Sequence, residues 1–231
     1  MNLLAFDTST RWLSVACATH GRWVTRDEPA GQAHSERLLP LVDAVLTEAG
    51  VALADLTAIA FGAGPGSFTG VRIACGVAQG LALGAGLRLV PVATLEALAQ
   101  AAARTHGATR VLACLDARMR EVYVAAYRRE ADAWLVQSGP AVLHPADVAA
   151  PPGANAWFGA GDGFASYPDL AARLGLAACD AALIPDARSI AELAMPRVAK
   201  GETVAAADAL PLYVRHRVAL TTAERDAGVR L

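Results

Sequence analysis

The sequence predicts an α/β protein of two related lobes, the second abbreviated, and three observations predict it. Short apolar runs alternate with stretches of helical period. The same style of pattern restarts after residue 108. Small motifs of the first half recur, in order, in the second.

Each element follows from local pattern. Leu3 to Thr8 reads as a buried strand halted by the polar turn Asp7-Thr8-Ser9-Thr10. Leu13 to Thr19 resumes the apolar pattern, His20-Gly21 turns, and Arg22 to Asp27 forms a third strand, giving a meander. Ser35 is placed to cap a helix to about Ala49, with Leu38, Leu39, Val42, Val45, Leu46 and Ala49 at helical spacing and Gly50 as the stop. Pro40 inside it predicts a kink or a later start. Thr57 to Phe61 is a strand leading into the glycine-rich loop Gly62 to Gly70. A helix from Val71 to about Leu83, a strand Arg88 to Val92 and a helix Thr94 to Thr105 complete the first lobe, residues 1–108.

The second lobe, 109–231, opens with strands Arg110 to Leu115, Glu121 to Tyr127 and Trp134 to Val136. Pro145 and Pro151-Pro152-Gly153 mark loops. A strand Asn155 to Phe158 and helices Phe164 to Leu174 and Ser189 to Lys200 follow, and the tail beyond Ala219 reads as polar and frayed. The echo between halves is specific. A strand ends in Asp at Asp7 and again at Asp116, each followed eight residues later by Val-Ala. Phe61-Gly62-Ala63-Gly64-Pro65-Gly66 matches Phe158-Gly159-Ala160-Gly161-Asp162-Gly163 at five of six positions, which points to duplication.

Composition excludes several classes. Over 231 residues, Lys+Arg 20 against Asp+Glu 22 give a net charge of -2, a poor basis for gripping nucleic acid through its phosphates. Lys200 is the only lysine and Ala fills about a quarter of the chain, a skew that reads as base-composition bias. The longest strongly apolar run, Ile73 to Leu87, is short of a membrane span and studded with glycine. Asp7 interrupts the N-terminus too early for a signal peptide, so a cytoplasmic location is expected. Cys17, Cys75, Cys114 and Cys179 lie far apart in apolar segments and read as buried free thiols.

The candidate chemistry is sparse. Hydroxyls and N–H groups of Thr8, Ser9 and Thr10 could meet a phosphate, and Asp7 could hold magnesium through water. The same residues equally describe a turn that satisfies its own backbone. The loop Gly62 to Gly70, with Gly64, Gly66 and Ser67, opens a helix and could contact an anion or simply pack tightly. It is neither a P-loop nor a dinucleotide fingerprint. Gly76, Gly80 and Gly84 recur every four residues in the following helix, where each glycine costs roughly 1 kcal/mol relative to alanine. Close approach of the chain's own sheet or of another helix would account for them. His20, His34, His106, His144 and His216 form no metal spacing, and no nucleophile elbow is present.

Certain runs are more specific. Leu4-Ala5-Phe6-Asp7-Thr8-Ser9-Thr10, Gly64-Pro65-Gly66-Ser67-Phe68-Thr69-Gly70-Val71-Arg72-Ile73, Ala78-Gln79-Gly80-Leu81-Ala82, Asp116-Ala117-Arg118-Met119 with Glu121-Val122-Tyr123, and Pro211-Leu212-Tyr213-Val214-Arg215 together resemble the TsaB (YeaZ) family. This bacterial family belongs to the machinery that makes threonylcarbamoyladenosine in tRNA. The resemblance runs in register over nearly the whole chain.

It implies an actin-like/sugar-kinase ATPase (ribonuclease-H-like) fold. It also implies a non-catalytic subunit that pairs with the paralogue TsaD, with the ATPase TsaE joining, and that forms a homodimer alone. TsaD-type proteins carry a His-Met-Glu-Gly-His metal motif where this chain has Thr94, Leu95, Glu96, Ala97 and Leu98, so both metal histidines are replaced. The family's interface resembles a four-helix bundle of the first two helices of each subunit. Carried over, it involves Leu38, Leu39, Val42, Val45, Leu46, Ile73, Gly76, Val77, Gly80 and Leu81. Asp7, Thr8, Ser9, Gly64, Gly66, Ser67, Asp116 and Gly161 become possible vestigial nucleotide contacts. No cofactor is implied for the chain itself. ATP or ADP with magnesium belongs to the complex, and tRNA is met only through it; no membrane partner is expected. The rival readings are a small-molecule kinase or ATPase using Asp7 and Asp116, and, far behind, a metal-free glycoprotease-like peptidase.

Overall fold

A computed structural model describes residues 1–215; the frayed tail expected beyond Ala219 lies outside the described residues. Two five-stranded sheets form the frame. In the first, β1 (Asn2–Asp7) pairs antiparallel with β2 (Trp12–Thr19), which pairs with β3 (Arg22–Pro29). β1 also pairs parallel with β4 (Ala58–Gly64), and β4 with β5 (Arg88–Ala93). In the second, β6 (Arg110–Arg118), β7 (Glu121–Glu130) and β8 (Ala133–Leu143) form the meander. β9 (Phe158–Ala160) and β10 (Ala178–Asp180) continue it in parallel. The orders β3-β2-β1-β4-β5 and β8-β7-β6-β9-β10 correspond strand for strand, with the same directions. The sequence echo therefore marks a repeated topology. Gly64 and Gly161, equivalent in that echo, share a φ of 108°.

Six helices complete the layers: α1 (His34–Ala49), α2 (Phe68–Ala85), α3 (Thr94–His106), the short α4 (Gly163–Ser166) and α5 (Leu170–Arg173), and α6 (Ala187–Ala199). Strand alternation assigns the faces. Leu4, Phe6, Leu13 and Val15 point outward to α1 and α2, forming one core with Leu38, Val42 and Ala78. Leu3, Ala5, Ala16 and Ala60 point inward to α3 and α6, which also take Val111, Ala113 and Leu115 of the second sheet. Leu112, Cys114 and Val124 face outward to Phe164, Leu170 and Leu174. Much of the alanine excess thus has a packing role: small side chains on the inner face let α6, through Ala187, Ile190, Ala191 and Ala194, lie close to the sheet.

Chain order and spatial lobes do not coincide. The division at 108/109 separates the sheets, but α6 packs on β1, β2 and β4 of the first. Beyond it, Val204 bridges to Leu89, and the Leu212 N–H donates to the Ala63 carbonyl at 2.7 Å.

Several local expectations need correction. α1 starts at His34 with Ala33, not Ser35, at its N-cap, and it runs through Pro40, which sits on the exposed side. α2 starts three residues before Val71, because the Ser67 hydroxyl caps the Gly70 N–H. α6 starts at Ala187, because Asp186 caps Ser189. The helix expected over Phe164 to Leu174 is two short turns; Pro168 between them has no N–H to continue the ladder. β9 begins at Phe158, where the strand expected from Asn155 ends, and β10 was not foreseen. β8 extends seven residues past Val136, being an edge strand whose polar outer face hides its period and tolerates Pro140. Cys179 is exposed, unlike the buried Cys17, Cys75 and Cys114.

Candidate functional site

The turn after β1 and the loop before α2 are locked together. The Ser9 N–H and hydroxyl both donate to Asp7 Oδ1, at 2.8 and 2.7 Å. The Thr8 hydroxyl donates to the Gly70 carbonyl at 2.7 Å, and the Ser67 N–H to the Ser9 carbonyl at 2.7 Å. The Gly64 N–H donates to Thr94 Oγ1 at 3.1 Å. A Cβ built on Gly66 would lie 2.5 Å from the Ser9 carbonyl oxygen, and one on Gly70 1.9 Å from that of Thr8. The glycines are therefore a condition of this contact. The Thr8 and Ser9 hydroxyls and the Ser9, Gly64, Ser67 and Gly70 N–H groups are engaged within the chain, the arrangement of a self-satisfying turn.

Asp7 is buried, and its Oδ2 has no hydrogen-bond partner among the described residues. It lies against Gly62, where a Cβ would meet it at 1.8 Å. Burial pushes its carboxyl up to about 7 against the opposing hydrogen bonds of Ser9, with Asp186 adding to the rise. Among the described residues no group of three or more His, Cys, Asp or Glu could hold a metal.

Of the sequence candidates, Ser9, Gly66, Ser67 and Asp116 line one cavity of about 1010 Å³ between the lobes; Asp7, Thr8, Gly64 and Gly161 do not. Gly161 packs instead on Cys114, whose carbonyl oxygen a Cβ would approach to 2.4 Å. The cavity also brings in residues that sequence reasoning did not single out: Arg11, Phe68, Arg72, Asp162, Tyr213 and Arg215. Asp162 Oδ1 accepts from the Asp116 N–H at 3.0 Å, and burial raises its carboxyl above the ordinary range. Its position, facing Pro65 in the repeat, was the available signal. Phe68, Arg72, Tyr213 and Arg215 belong to runs quoted above for resemblance alone, since no periodicity shows that residues 211–215 reach the cavity between the lobes.

The helical candidates divide. Leu38, Val42, Val45 and Leu46 are buried in the chain's own core, which leaves them little surface for a partner. Leu39 is 49% exposed, Ile73, Val77 and Leu81 are half-buried, and Gly76 and Gly80 are exposed. A Cβ on Gly76, Gly80 or Gly84 would meet nothing within 4 Å among the described residues. The chain's own sheet is therefore not what these glycines accommodate. α2 is long and apolar enough by length and composition to cross a membrane, yet Val71, Ala74, Cys75, Ala78 and Ala82 bury its inner face.

The positions matching the TsaD-type metal motif have structural tasks. Thr94 is buried on the Gly64 N–H, Leu98 is fully buried, and Glu96 receives Arg197 on both oxygens at 2.6 and 2.8 Å.

Comparison with known proteins agrees with this architecture. Residues 27–219 match the family model described as TsaD, tRNA N6-adenosine threonylcarbamoyltransferase. The chain is 44% identical over 223 residues to the tRNA threonylcarbamoyladenosine biosynthesis protein TsaB of Escherichia coli, covering 95% of this chain and 96% of that one. It is 38% identical to the Haemophilus influenzae TsaB, covering 94% and 95%. The solved structure of YeaZ from Pseudomonas aeruginosa superposes with a TM-score of 0.85 at 45% identity, covering 92% of this chain and 99% of that one.

Proposed function

This chain belongs to the TsaB family, and from that premise we propose that it acts in tRNA threonylcarbamoyladenosine biosynthesis as a non-catalytic subunit pairing with TsaD. TsaE joins the pair, tRNA is met through the assembly, and the work is done in the cytoplasm. The observation that carries the reading is the outward ridge of α2, where a Cβ built on Gly76, Gly80 or Gly84 would meet nothing within 4 Å among the described residues. Three helix-weakening glycines with nothing above them make sense where a second helix approaches closely. Leu39, Ile73, Val77 and Leu81 supply apolar surface beside them. The same face serves a homodimer when TsaD is absent. The replaced histidine positions, the engaged Glu96 and the closed turn around Asp7 favour an accessory role over chemistry of the chain's own.

Reconstitution tests this. Purified chain alone should leave tRNA unmodified, and adding it to TsaD, TsaE and a threonylcarbamoyl-adenylate supply should raise modification. Modification by the chain alone, or no rise on its addition, would overturn the reading.

A further inference from the structure

We propose that the mouth of the interlobe cavity docks an acidic segment of a partner protein that carries an apolar or aromatic anchor. Phe68, Met119, Leu212 and Tyr213, 47%, 60%, 38% and 48% exposed, all line this one cavity. Large apolar side chains gathered at one opening mark a docking surface more than scattered ones do.

The charges around them are matched unevenly. Asp116 is engaged by Arg118 at 3.3 Å, Asp162 by the Asp116 N–H, and Arg215 by Glu121. Arg11 helps to offset the raised Asp162 carboxyl without reaching ion-pair distance among the described residues. Arg72 has no carboxylate within ion-pair distance among the described residues. It is instead held in place, its guanidinium 3.6 Å over the Phe68 ring and its Nε donating to the Tyr213 hydroxyl at 2.8 Å. A guanidinium fixed by an aromatic face, with no counter-ion among the described residues, is prepared to receive a carboxylate. Within the glycine loop, the Gly64, Ser67 and Gly70 N–H groups are already engaged within the chain.

Phe68, Arg72, Gly76, Gly80 and Gly84 form one exposed i, i+4 ridge of α2, running from this mouth along the pairing face. In that respect the inference rests on the pairing reading: a partner over the glycines lies next to the cavity. The assay below uses the full chain without TsaD, so its failure and the failure of pairing are separable.

An array of hexapeptides, each with three acidic and two large apolar residues, is probed with the full chain, beside matched arrays with Lys for the acids or Ser for the apolar residues. Selective capture on the first array, and about tenfold weaker capture by a folded Arg72→Ala variant, are expected. Phe68→Ala should give a similar loss. Equal capture on the lysine array, or undiminished capture by Arg72→Ala, overturns the proposal. So does displacement of captured chain by ADP with magnesium or by a single-stranded oligonucleotide at lower concentration than by free acidic peptide.

Discussion

The guanidinium of Arg197 rests on both carboxylate oxygens of Glu96, so the single acidic survivor of the metal-motif positions is the clasp between α6 and α3. Both side chains are mostly buried, and a charge-assisted contact in such a setting, here from one guanidinium nitrogen to both oxygens, is worth more than a surface ion pair. Arg197→Ala should lower unfolding free energy by about 1.5–3 kcal/mol in urea denaturation. Glu96→Gln should also lower stability while leaving tRNA modification by the reconstituted system unchanged below the variant's melting temperature. A loss of modification in a fully folded Glu96→Gln protein would sink the structural assignment.

The glycine ridge makes opposite demands on the chain and on its assembly. Gly80→Ala adds a Cβ that meets nothing within 4 Å, so the chain alone should gain roughly 0.5–1 kcal/mol. Gly80→Leu should fold as well but weaken association with TsaD by about tenfold or more in calorimetry, as close helix approach is blocked. Unchanged affinity in both variants removes the ridge from the interface.

Asp7 should leave a signature in the pH dependence of stability. Its folded value of about 7 exceeds the unfolded 3.8, so the native state holds a proton that the unfolded chain has released between those values. The contribution of Asp7 to stability is therefore fully present below about pH 4 and lost as pH rises from there through 7. Asp7→Asn keeps an acceptor for the two Ser9 donors and removes this titration. Unfolding free energies from urea denaturation at pH 4.5 and 8 should differ less for the variant than for the parent, by an amount on the order of 2–4 kcal/mol. Asp27 and Asp162, also raised by burial, will retain part of the slope.

The repeat predicts matched sensitivity at Gly64 and Gly161. Both hold φ at 108°, where L side chains are rare, and a Cβ would approach the Leu212 oxygen to 2.8 Å and the Cys114 oxygen to 2.4 Å respectively. Each Gly→Ala change should cost about 2 kcal/mol or more, visible as a lowered melting temperature. Indifference at one position only would show that the two loops have diverged in tolerance.

Legibility followed the range of the interactions. β1 to β5 and α1 to α3 were readable because their apolar periods match the faces that they bury, as in Leu38, Val42 and Val45 of α1. β10 and the extent of β8 were not, since a three-residue strand has no period to read and an edge strand has one solvated face. Leu38 illustrates the harder failure: helical spacing finds an apolar stripe but does not distinguish a core stripe from an interface stripe.

By itself the sequence determined the α/β class, the two related lobes, the family and the replaced metal histidines, all of which depend on residue identity and local order. Tertiary structure alone decided that α6 crosses back to the first sheet and that the turn at Ser9 closes on the loop at Ser67. It also decided that Arg72 meets Tyr213 at the mouth of the cavity and that the glycine ridge faces outward. Those facts join residues as distant as Ser14 and Ala187, 173 positions apart, and separations of that size carry no periodic trace along the chain. They are settled by which apolar faces find each other, and by which polar groups the resulting contacts leave satisfied.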